Sequence, residues 1–434
     1  MADDADPAHA GGGARYTILS MMKDEGPALL EWLAYHRHIG FDNVCVYTND
    51  CSDGTDRMLM RLEEMGECRH FRNEVPEGKK PQPHALDLAQ DNPAVTASEW
   101  ILVMDADEFV SIKTGRGWVR HLVEAVPEDT DAIVLTWRFF GSNGHVAWDP
   151  GPVVESYPRA APDRFRKGWG VKTMFRPFAH MKFGIHRPTA FGLKQHPERA
   201  EALARMRWVN GSGQPMPEEF ALSGWRSTGP SLGYELAEMN HYAVKSIEAY
   251  LLRRLRGNVN NKADKYNAGY FAIFDRNEVE APNARRHMRG TRKRIAGWLA
   301  DPVLARLHEE ALAVHRDRVA RLRQSADYAA LVEDLRRAGE TPIEKLDEVL
   351  YYQHLPPEWR ARIDRMRAAG VPERELALAI ARSTGLHEAR AGGSGAPGLG
   401  AAAGAGDPAG DPGGDDPTAG GAGPEAAAGA AERA

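Results

Sequence analysis

Two aspartates follow directly after an apolar run in the segment WILVMDADEF, residues 100–109. Asp105 and Asp107 are spaced i, i+2, and Glu108 is next to them. Ligands of an open parallel sheet bind beyond the carboxyl ends of its strands, so this position favours a binding role. Carboxylate oxygens are the ligands that Mg²⁺ and Mn²⁺ prefer, often together with substrate phosphates. We therefore take Asp105 and Asp107 as candidate metal ligands, against the alternative of a solvated acidic turn.

Polar residues also follow two earlier apolar runs, RYTILSMM and NVCVYTN. If these runs are parallel strands, their carboxyl ends meet the DADEF segment at one edge of the sheet. We expect the polar side chains there to reach a bound base or ribose. The alternative is that they are acids in a first helical turn or an ordinary Asx-rich turn. The candidate binding residues are Lys23, Asp24, Glu25, Asn49, Asp50 and Asp53.

Short apolar runs alternate with amphipathic helical patterns from residue 15 onward. The first four predicted strands lie in RYTILSMM, NVCVYTN, ECRHFRN and EWILVMD, with helical spacing of apolar residues between them. This alternation predicts βαβ units, and so an α/β fold with a Rossmann-like, mostly parallel sheet flanked by helices. Two further strands, in DAIVLTWRFFG and GVKTMFRPFAH, are separated by a long Gly/Pro-rich loop that we expect to be functional.

Composition divides the chain into four predicted segments. From about residue 392 the sequence is Gly/Ala/Pro/Asp with almost no large apolar residue, so it lacks the side chains needed for a core. The predicted organisation is a disordered N-terminus at 1–14, an α/β domain at 15–260, a helical extension at 261–391 and a disordered tail at 392–434.

Overall composition argues against several classes of protein. The 434 residues carry a net charge of -6, so we expect no nucleic-acid partner. Three cysteines are too few for a disulfide framework, and no signal peptide or apolar run of 18 residues is present, so we expect a cytoplasmic protein. One dense basic cluster suggests contact with an anionic surface such as the inner membrane face. Its members are Arg285, Arg286, Arg289, Arg292, Lys293 and Arg294.

Taken in order, three motifs resemble those of family 2-type glycosyltransferases, more narrowly a bacterial branch related to family 92. They are KDEGPALLEWLAYH, YTNDCSDGT and WILVMDADEF, and the later runs WRFFGSNGH, VKTMFRP, GIHRP and NHYAVKSIEAYLLRRLRG fit the same branch. The resemblance covers residues 15–260 and implies a GT-A fold, a nucleotide-diphosphate-sugar donor, a Mn²⁺ or Mg²⁺ ion and inversion at the anomeric carbon. Members often read K-N-E where this chain has Lys23, Asp24 and Glu25, so a charge is added at position 24.

The resemblance also implies roles for residues in the second half of the domain. GT-A enzymes often use a late histidine as a further metal ligand, and His186 in GIHRP and His241 in NHYAVKS match family runs. A general base should deprotonate the acceptor hydroxyl. We favour Glu155 in VVESY for this role, with Asp149 and Asp163 as alternatives in the same loop. The acceptor is expected to be a carbohydrate or a lipid-linked molecule, in surface polysaccharide or glycoconjugate synthesis.

Two other classes of function remain compatible with the same residues. A metal-dependent nucleotidyltransferase or phosphohydrolase also needs paired acids beyond a strand, as at Asp105 and Asp107. A binding protein with a degenerate transferase fold is the non-enzymatic alternative, and it predicts loss of the metal acids, which are intact here.

Overall fold

The structure is a computed structural model. The sequence predictions for residues 1–13 and for the tail at 392–434 lie outside the residues that it describes. The described residues are 14–178, 180–189, 197–256, 266–346 and 357–371.

Strands and helices alternate along the first half of the chain, and helices dominate the second half. The strands are β1 (Tyr16–Met22), β2 (Asn43–Thr48), β3 (Arg69–Arg72), β4 (Trp100–Val103), β5 (Glu108–Ile112), β6 (Ala132–Phe139), β7 (Arg159–Ala160), β8 (Val171–Phe175), β9 (Trp208–Asn210), β10 (Ala237–His241) and β11 (Val279–Glu280). The α-helices are α1 (Gly26–His38), α2 (Thr55–Glu64), α3 (Pro81–Gln90), α4 (Pro93–Thr96), α5 (Val119–Ala125), α6 (Val153–Ser156), α7 (Pro197–Arg205), α8 (Ile247–Arg256), α9 (Ala268–Phe274), α10 (Met288–Trp298), α11 (Pro302–Arg323), α12 (Tyr328–Gly339) and α13 (Pro357–Ala368).

One mixed sheet forms the centre of the molecule. Its strand order is β3-β2-β1-β4-β8-β6-β10-β5, with β9 paired to β6. The first four strands in this order are parallel, as the alternating pattern predicts. Strand β8 runs antiparallel between β4 and β6, and β10 is parallel to β6 but antiparallel to β5. The α/β fold with a sheet flanked by helices is thus confirmed.

Apolar residues on both faces of the strands explain why helices cover both sides. Ile18 and Leu102 belong to one buried cluster, which includes residues of α1, α2, α10 and α11. Their neighbours Leu19 and Val103 belong to a second buried cluster, with residues of α3. Successive side chains of a strand point to opposite faces, so a strand covered on both sides is mostly apolar along its length, as β1 is apart from the buried Thr17 and Ser20.

Strand β5 begins immediately after the DADEF aspartates and was not among the predicted strands. The chain leaves β4 at Val103, turns through Asp105 to Asp107 and enters β5 at Glu108. Strand β5 pairs antiparallel with β10, so that Glu108 lies opposite His241. This pairing across more than 130 positions of sequence brings the two predicted metal-binding motifs together.

Helices α10 to α12, within the predicted extension, pack against the α/β part of the molecule. Arg61 of α2 pairs with Asp301, the N-cap of α11, at 2.5 Å. At the other end of α11, Arg323 pairs with the buried Glu248 of α8 at 2.6 Å. The domain boundary at 260/261 stays a prediction, but residues on its two sides make these direct contacts. Within the described residues, no helix combines the length and apolar composition needed to cross a bilayer.

Candidate functional site

Asp107 lies in the turn between β4 and β5, and its carboxylate is buried among cationic groups. Its Oδ2 accepts a hydrogen bond from Arg253 at 2.5 Å, and its Oδ1 lies 3.6 Å from Nε2 of His241. Burial alone would raise the pKa of Asp107, but the charges of Arg253 and His241 outweigh it and hold the pKa well below its usual range. The carboxylate is therefore ionised throughout the physiological range.

His241 ends β10, and its position follows from the pairing of β10 with β5. The backbone N–H of the next residue, Tyr242, donates to the Asp107 carbonyl at 2.8 Å, which fixes the two turns against each other. The ring of Trp137 packs on the imidazole at 4.8 Å. The Nδ1 atom of His241 is buried without a hydrogen-bond partner among the described residues. The unpartnered nitrogen is Nδ1, whereas Nε2 is the nitrogen that faces Asp107.

The Asp107–His241 pair fits two of the ligands of a divalent cation. The 3.6 Å between Oδ1 and Nε2 is longer than a good hydrogen bond, and an ion at about 2.1 Å from each atom spans it. Mg²⁺ is commonly held by one or two carboxylates together with water and substrate phosphates. Within the described ranges, no cluster of three or more His, Cys, Asp or Glu side chains suits a metal ion. The four predicted metal ligands therefore do not converge, and only this pair comes together.

Asp105 belongs to a separate network on the other side of the turn. Its Oδ2 accepts from Nζ of Lys172 at 3.0 Å, and Nε2 of Gln82 lies 3.4 Å from its Oδ1. Lys172 also approaches the buried Glu108, at 3.6 Å. Burial raises the pKa of Glu108 well above its usual range, and Nε1 of Trp137 donates to it at 2.6 Å. A metal-binding role for Asp105 stays a prediction.

His186 and His241 both contact the ring of Trp137. Nδ1 of His186 is 3.1 Å from the carbonyl of Val171, and the His186 ring stacks on Trp225 at 4.7 Å. The rings of Trp137 and His186 are 5.4 Å apart. The role of His186 as a metal ligand stays a prediction, because nothing in this environment tests it.

The two predicted nucleotide-binding loops are joined by two of their aspartates. Asp24 accepts the N–H groups of Ser52 at 2.6 Å and Asp53 at 3.2 Å, and it pairs with Arg318 at 3.1 Å. In return, Asp53 accepts the N–H of Gly26 at 2.9 Å. Burial opposes ionisation of Asp24, but Ser52 and Arg318 lower its pKa below the usual value. These contacts hold the two loops together, so both carboxylates have a structural role.

The other candidate binding residues in these loops differ in how many hydrogen bonds and ion pairs they form within the protein. Asp50 is exposed, and it accepts from the Asn49 amide at 3.1 Å. Glu25 pairs with Arg256 at 2.9 Å, and Arg256 also donates to the Lys23 carbonyl at 2.6 Å. Asp50 is thus the acid of this group that lies most open to a ligand.

Three non-glycine residues around this site have left-handed backbone conformations. The φ angles are 53° at Asp24, 48° at Asp50 and 53° at Lys245. Such conformations cost free energy, least for Asp and Asn and more for a long side chain such as Lys. Their concentration around one crevice is typical of a functional site, where the surrounding structure holds backbone that would otherwise relax.

A cavity of about 1200 Å³ opens beside Asp107, between α1, α8, α10 and α11. A cavity of this size exceeds what a typical small ligand needs. The predicted site residues that line it are Lys23, Asp24, Glu25, Asp50 and Asp107. Those that do not line it are Asn49, Asp53, Asp105, Glu155, His186 and His241.

The three candidate general bases have different surroundings. Glu155 forms an ion pair with Arg292 and does not line the cavity. Asp149 lines the cavity, and its carboxylate accepts only the Gly151 N–H, at 2.7 Å, among its described contacts. Asp163 pairs with Arg138 at 2.8 Å and is 59% exposed. Glu155 stays a prediction, and Asp149 is better placed to meet a ligand in the cavity.

Sequence analysis did not identify Arg318, and it did not assign Arg253 to Asp107. Arg253 and Arg256 are spaced i, i+3 in the basic helix after the NHYAVKS motif, and this spacing puts them on one helix face. Arg318 lies in the predicted extension, where no motif marks it. Its contact with Asp24 depends on how α11 packs, and no local pattern carries that information.

The fold and site together define a mixed α/β protein with a buried carboxylate–imidazole pair beside a large, charged cavity. No protein-family model matches the chain, and no curated protein matches it. Among solved structures, S. aureus TarS 1-349 in complex with UDP-GlcNAc is 14% identical, with 75% of this chain and 90% of that chain covered and a TM-score of 0.28.

Another similar structure is glucosyl-3-phosphoglycerate synthase from Mycobacterium tuberculosis, in complex with Mn²⁺, UDP and glucosyl-3-phosphoglycerate. It is 14% identical, with 38% of this chain and 57% of that chain covered and a TM-score of 0.22. At TM-scores this low the likenesses carry no argument about activity. The function is therefore argued from the residues of this chain.

Proposed function

We propose that the protein is a glycosyltransferase that moves a sugar from a nucleotide-diphosphate donor to an acceptor hydroxyl. The observation that carries the proposal is the Asp107–His241 pair with Arg253 at the carboxyl edge of the sheet, beside a cavity that the loops at Lys23 and Asp50 also line. The ordered motifs resemble those of family 2-type glycosyltransferases, which have a GT-A fold. This resemblance also supports a glycosyltransferase function.

The leaving group of such a reaction is a nucleoside diphosphate, whose charge grows as the sugar–phosphate bond breaks. Asp107 and His241 would hold a Mn²⁺ or Mg²⁺ ion, which supplies Lewis-acid stabilisation of the diphosphate when bound. Arg253, held by Asp107 and by the Ala243 carbonyl at 2.9 Å, adds a fixed positive charge beside this pair. Because Asp107 is ionised and paired in advance, little reorganisation is needed when the donor binds.

The nucleotide is proposed to lie against the loops after β1 and β2. Asp50 offers carboxylate oxygens to a base or ribose, and Lys23 lines the same cavity. The buried Asn49 does not line the cavity, and its proposed contribution is the hydrogen bond that its amide donates to Asp50. Asp24 and Asp53 act indirectly in this proposal, since their carboxylates join the two loops. Ordered loops bind a nucleotide with less loss of conformational entropy than mobile ones.

The acceptor hydroxyl is proposed to attack from the cavity side, with inversion at the anomeric carbon. A carboxylate must take its proton. Asp149 lines the cavity, whereas Glu155 does not line it and is paired with Arg292, which does. The acceptor is a carbohydrate or a lipid-linked molecule in this proposal, as in surface polysaccharide or glycoconjugate synthesis.

A cytoplasmic location with contact at the inner membrane face is a further part of the proposal. The basic cluster at residues 285–294 supports it by composition, but part of that charge is already neutralised. Arg292 and Arg294 pair with Glu155 and Glu67. Membrane contact is therefore a weaker expectation than the sequence alone suggests.

A metal-dependent nucleotidyltransferase or phosphohydrolase would use the same Asp107 chemistry. The products separate these classes, because sugar transfer releases a nucleoside diphosphate, whereas attack of water on the diphosphate of a nucleotide sugar releases a nucleoside monophosphate and a sugar phosphate.

The test is incubation of the full-length protein with a panel of nucleotide sugars and Mn²⁺, followed by chromatography of the nucleotide products. We expect one donor to yield its nucleoside diphosphate, faster when the right acceptor is present. Release of nucleoside monophosphate or inorganic phosphate from every turned-over donor would contradict glycosyl transfer.

A further inference from the structure

The cavity continues past Asp107 to a group of cations between α8 and α11. His315 of α11 is at the centre of this group, with its ring against Trp148 at 4.3 Å. Its Nε2 atom is buried and has no hydrogen-bond partner among the described residues. The pKa of His315 is lowered to about 4, mainly because the ring is buried and also because Lys245, Arg318 and Arg256 are positively charged. The ring is thus a neutral group surrounded by positive charge.

Two cations that line the same cavity form no ion pair with any described residue. Among the described residues, the side chains of Lys245 and Arg254 make no ion pair and no hydrogen bond, and the charge of Lys245 acts on His315. Lys245 also adopts the left-handed conformation, with φ at 53°, which a lysine rarely adopts without a constraint. An unneutralised pair of cations at a partly buried surface costs free energy unless a ligand compensates it.

The one acidic group that acts on His315 is already engaged. Glu248 raises the pKa of His315, but its own carboxylate accepts from Arg323 at 2.6 Å and Tyr328 at 2.7 Å. It also accepts the Trp148 N–H at 2.8 Å. Glu248 is therefore not available to form an ion pair with Lys245 or Arg254.

Lys245 connects this group of cations to the candidate reaction centre. Its charge helps to lower the pKa of Asp107. Burial raises the pKa of Glu31 to about 7, and the charge of Lys245 partly opposes that rise; both carboxylates line the same cavity. The group of cations therefore adjoins Asp107, within the reach of a substrate that spans both. The Asp107 side already has Arg253 for a donor diphosphate, so these cations are additional.

We propose that Lys245, Arg254 and His315 form a second anion subsite, which binds a phosphate group of the acceptor. A phosphate presents close to two negative charges and several acceptor oxygens, which matches two cations and a donor on the His315 ring. The inference rests on the proposed transferase function, since it assigns an anionic class of acceptor to that reaction. It requires that the subsite remain open while the donor nucleotide is bound.

The test uses inorganic phosphate as the probe, titrated calorimetrically into the full-length protein at fixed ionic strength, with and without saturating UDP and Mn²⁺. Fixed ionic strength is needed because exposed charges are screened by salt. We expect phosphate to bind in both conditions. Lys245→Asn, which keeps a residue that tolerates the left-handed conformation, and His315→Gln should each weaken phosphate binding about tenfold, as for loss of a charge-assisted hydrogen bond.

The matched control is Arg316→Ala, on the same helix beside His315. Arg316 pairs with the exposed Glu309 and does not line the cavity, so its loss should leave phosphate affinity unchanged. UDP affinity should stay within about twofold of the wild type in Lys245→Asn and His315→Gln. Arg254→Ala is a third variant, and it keeps the test decisive if either of the first two fails to fold.

Three results would overturn the subsite. Competition between UDP and phosphate would mean that these cations bind the donor diphosphate instead. Phosphate affinity that is unchanged in all three variants, or absent in the wild type, would mean that no such subsite exists. Failure of UDP itself to bind would count against the transferase function, and the phosphate titration without UDP would still report on the subsite.

Discussion

At the scale of single residues, Asp107 and His241 illustrate how burial and charge define a site. Asp107 keeps its ionised form because Arg253 and His241 outweigh the cost of burial. The Nδ1 atom of His241 has no partner among the described residues. The neighbouring Asp105 has the same side chain, but its carboxylate is held by Lys172. Two aspartates spaced i, i+2 thus have different environments and, we propose, different uses.

The general base is tested by removing each candidate carboxylate without changing its size. If Asp149 accepts the acceptor proton, Asp149→Asn should lower kcat by roughly 10²–10⁴-fold, with donor affinity near that of the wild type. Glu155→Gln is the matched comparison, because Glu155 does not line the cavity and is already paired with Arg292. Steady-state kinetics and nucleotide binding on both variants decide it. A large loss of kcat in Glu155→Gln alone would restore Glu155 as the base.

At the scale of elements, the site depends on contacts between segments that are far apart in sequence. Strand β5 brings Glu108 opposite His241, and helix α11 carries Arg318 to Asp24 at 3.1 Å and to Ser52 at 2.8 Å. The predicted extension, which begins at residue 261, therefore contacts the proposed donor loops through Arg318. An α/β segment cut at residue 260 would lack this contact.

Arg318 is expected to act through Asp24 as a positioning residue for the donor loops. Arg318→Ala should weaken UDP affinity about tenfold with little change in kcat at saturating donor, because a buried charge-assisted contact is lost but no reacting group is. Arg318→Lys should recover part of the affinity, since it keeps the charge. Calorimetric UDP binding and steady-state kinetics on the same preparations measure both effects.

Arg316→Ala serves as the control here as well, since Arg316 is on the same helix but pairs with the exposed Glu309. A double-mutant cycle with Asp24→Asn asks whether the two residues act together, and we expect the combined loss to be less than the sum of the single losses. Additive losses, or an equal loss in Arg316→Ala, would contradict the positioning role.

At the scale of the whole molecule, sequence patterns predicted the first half of the fold well. The strands β1, β2 and β4 were predicted because each lies in a mostly apolar run between helical patterns, and both faces of the sheet are covered. Strand β3, in ECRHFRN, has a weaker apolar pattern and was predicted from its place in the alternation of strands and helices. The short strands β5, β9 and β10 were not predicted. Their identity depends on pairing with distant partners, which a local pattern does not encode.

The candidate site was predictable to the extent that it lies in motifs. Asp107 and His241 were identified from strand-end position and from the family resemblance, and the structure brings them to 3.6 Å. Their roles remain predictions. The ion pairs of Arg253 and Arg318, and the pairing of Asp24 with the second loop, are tertiary contacts that no spacing rule reveals.

The central claim is that Asp107 and His241 hold a divalent cation that the donor diphosphate shares. Calorimetric titration of UDP into the full-length protein, with and without Mn²⁺, tests it most directly. We predict that Mn²⁺ strengthens UDP binding in the wild type. Asp107→Asn and His241→Gln should lose most of this gain, while Asp129→Asn, an exposed residue paired with Arg207, should retain it.

Asp107→Asn leaves Arg253 buried without its partner, so its melting temperature must be measured beside its binding. His241→Gln leaves that ion pair intact and keeps the test decisive if Asp107→Asn is unstable. The account predicts a Mn²⁺ effect on UDP affinity that disappears in folded His241→Gln. An undiminished Mn²⁺ effect in both variants, or UDP binding in the wild type that is indifferent to Mn²⁺, would contradict it.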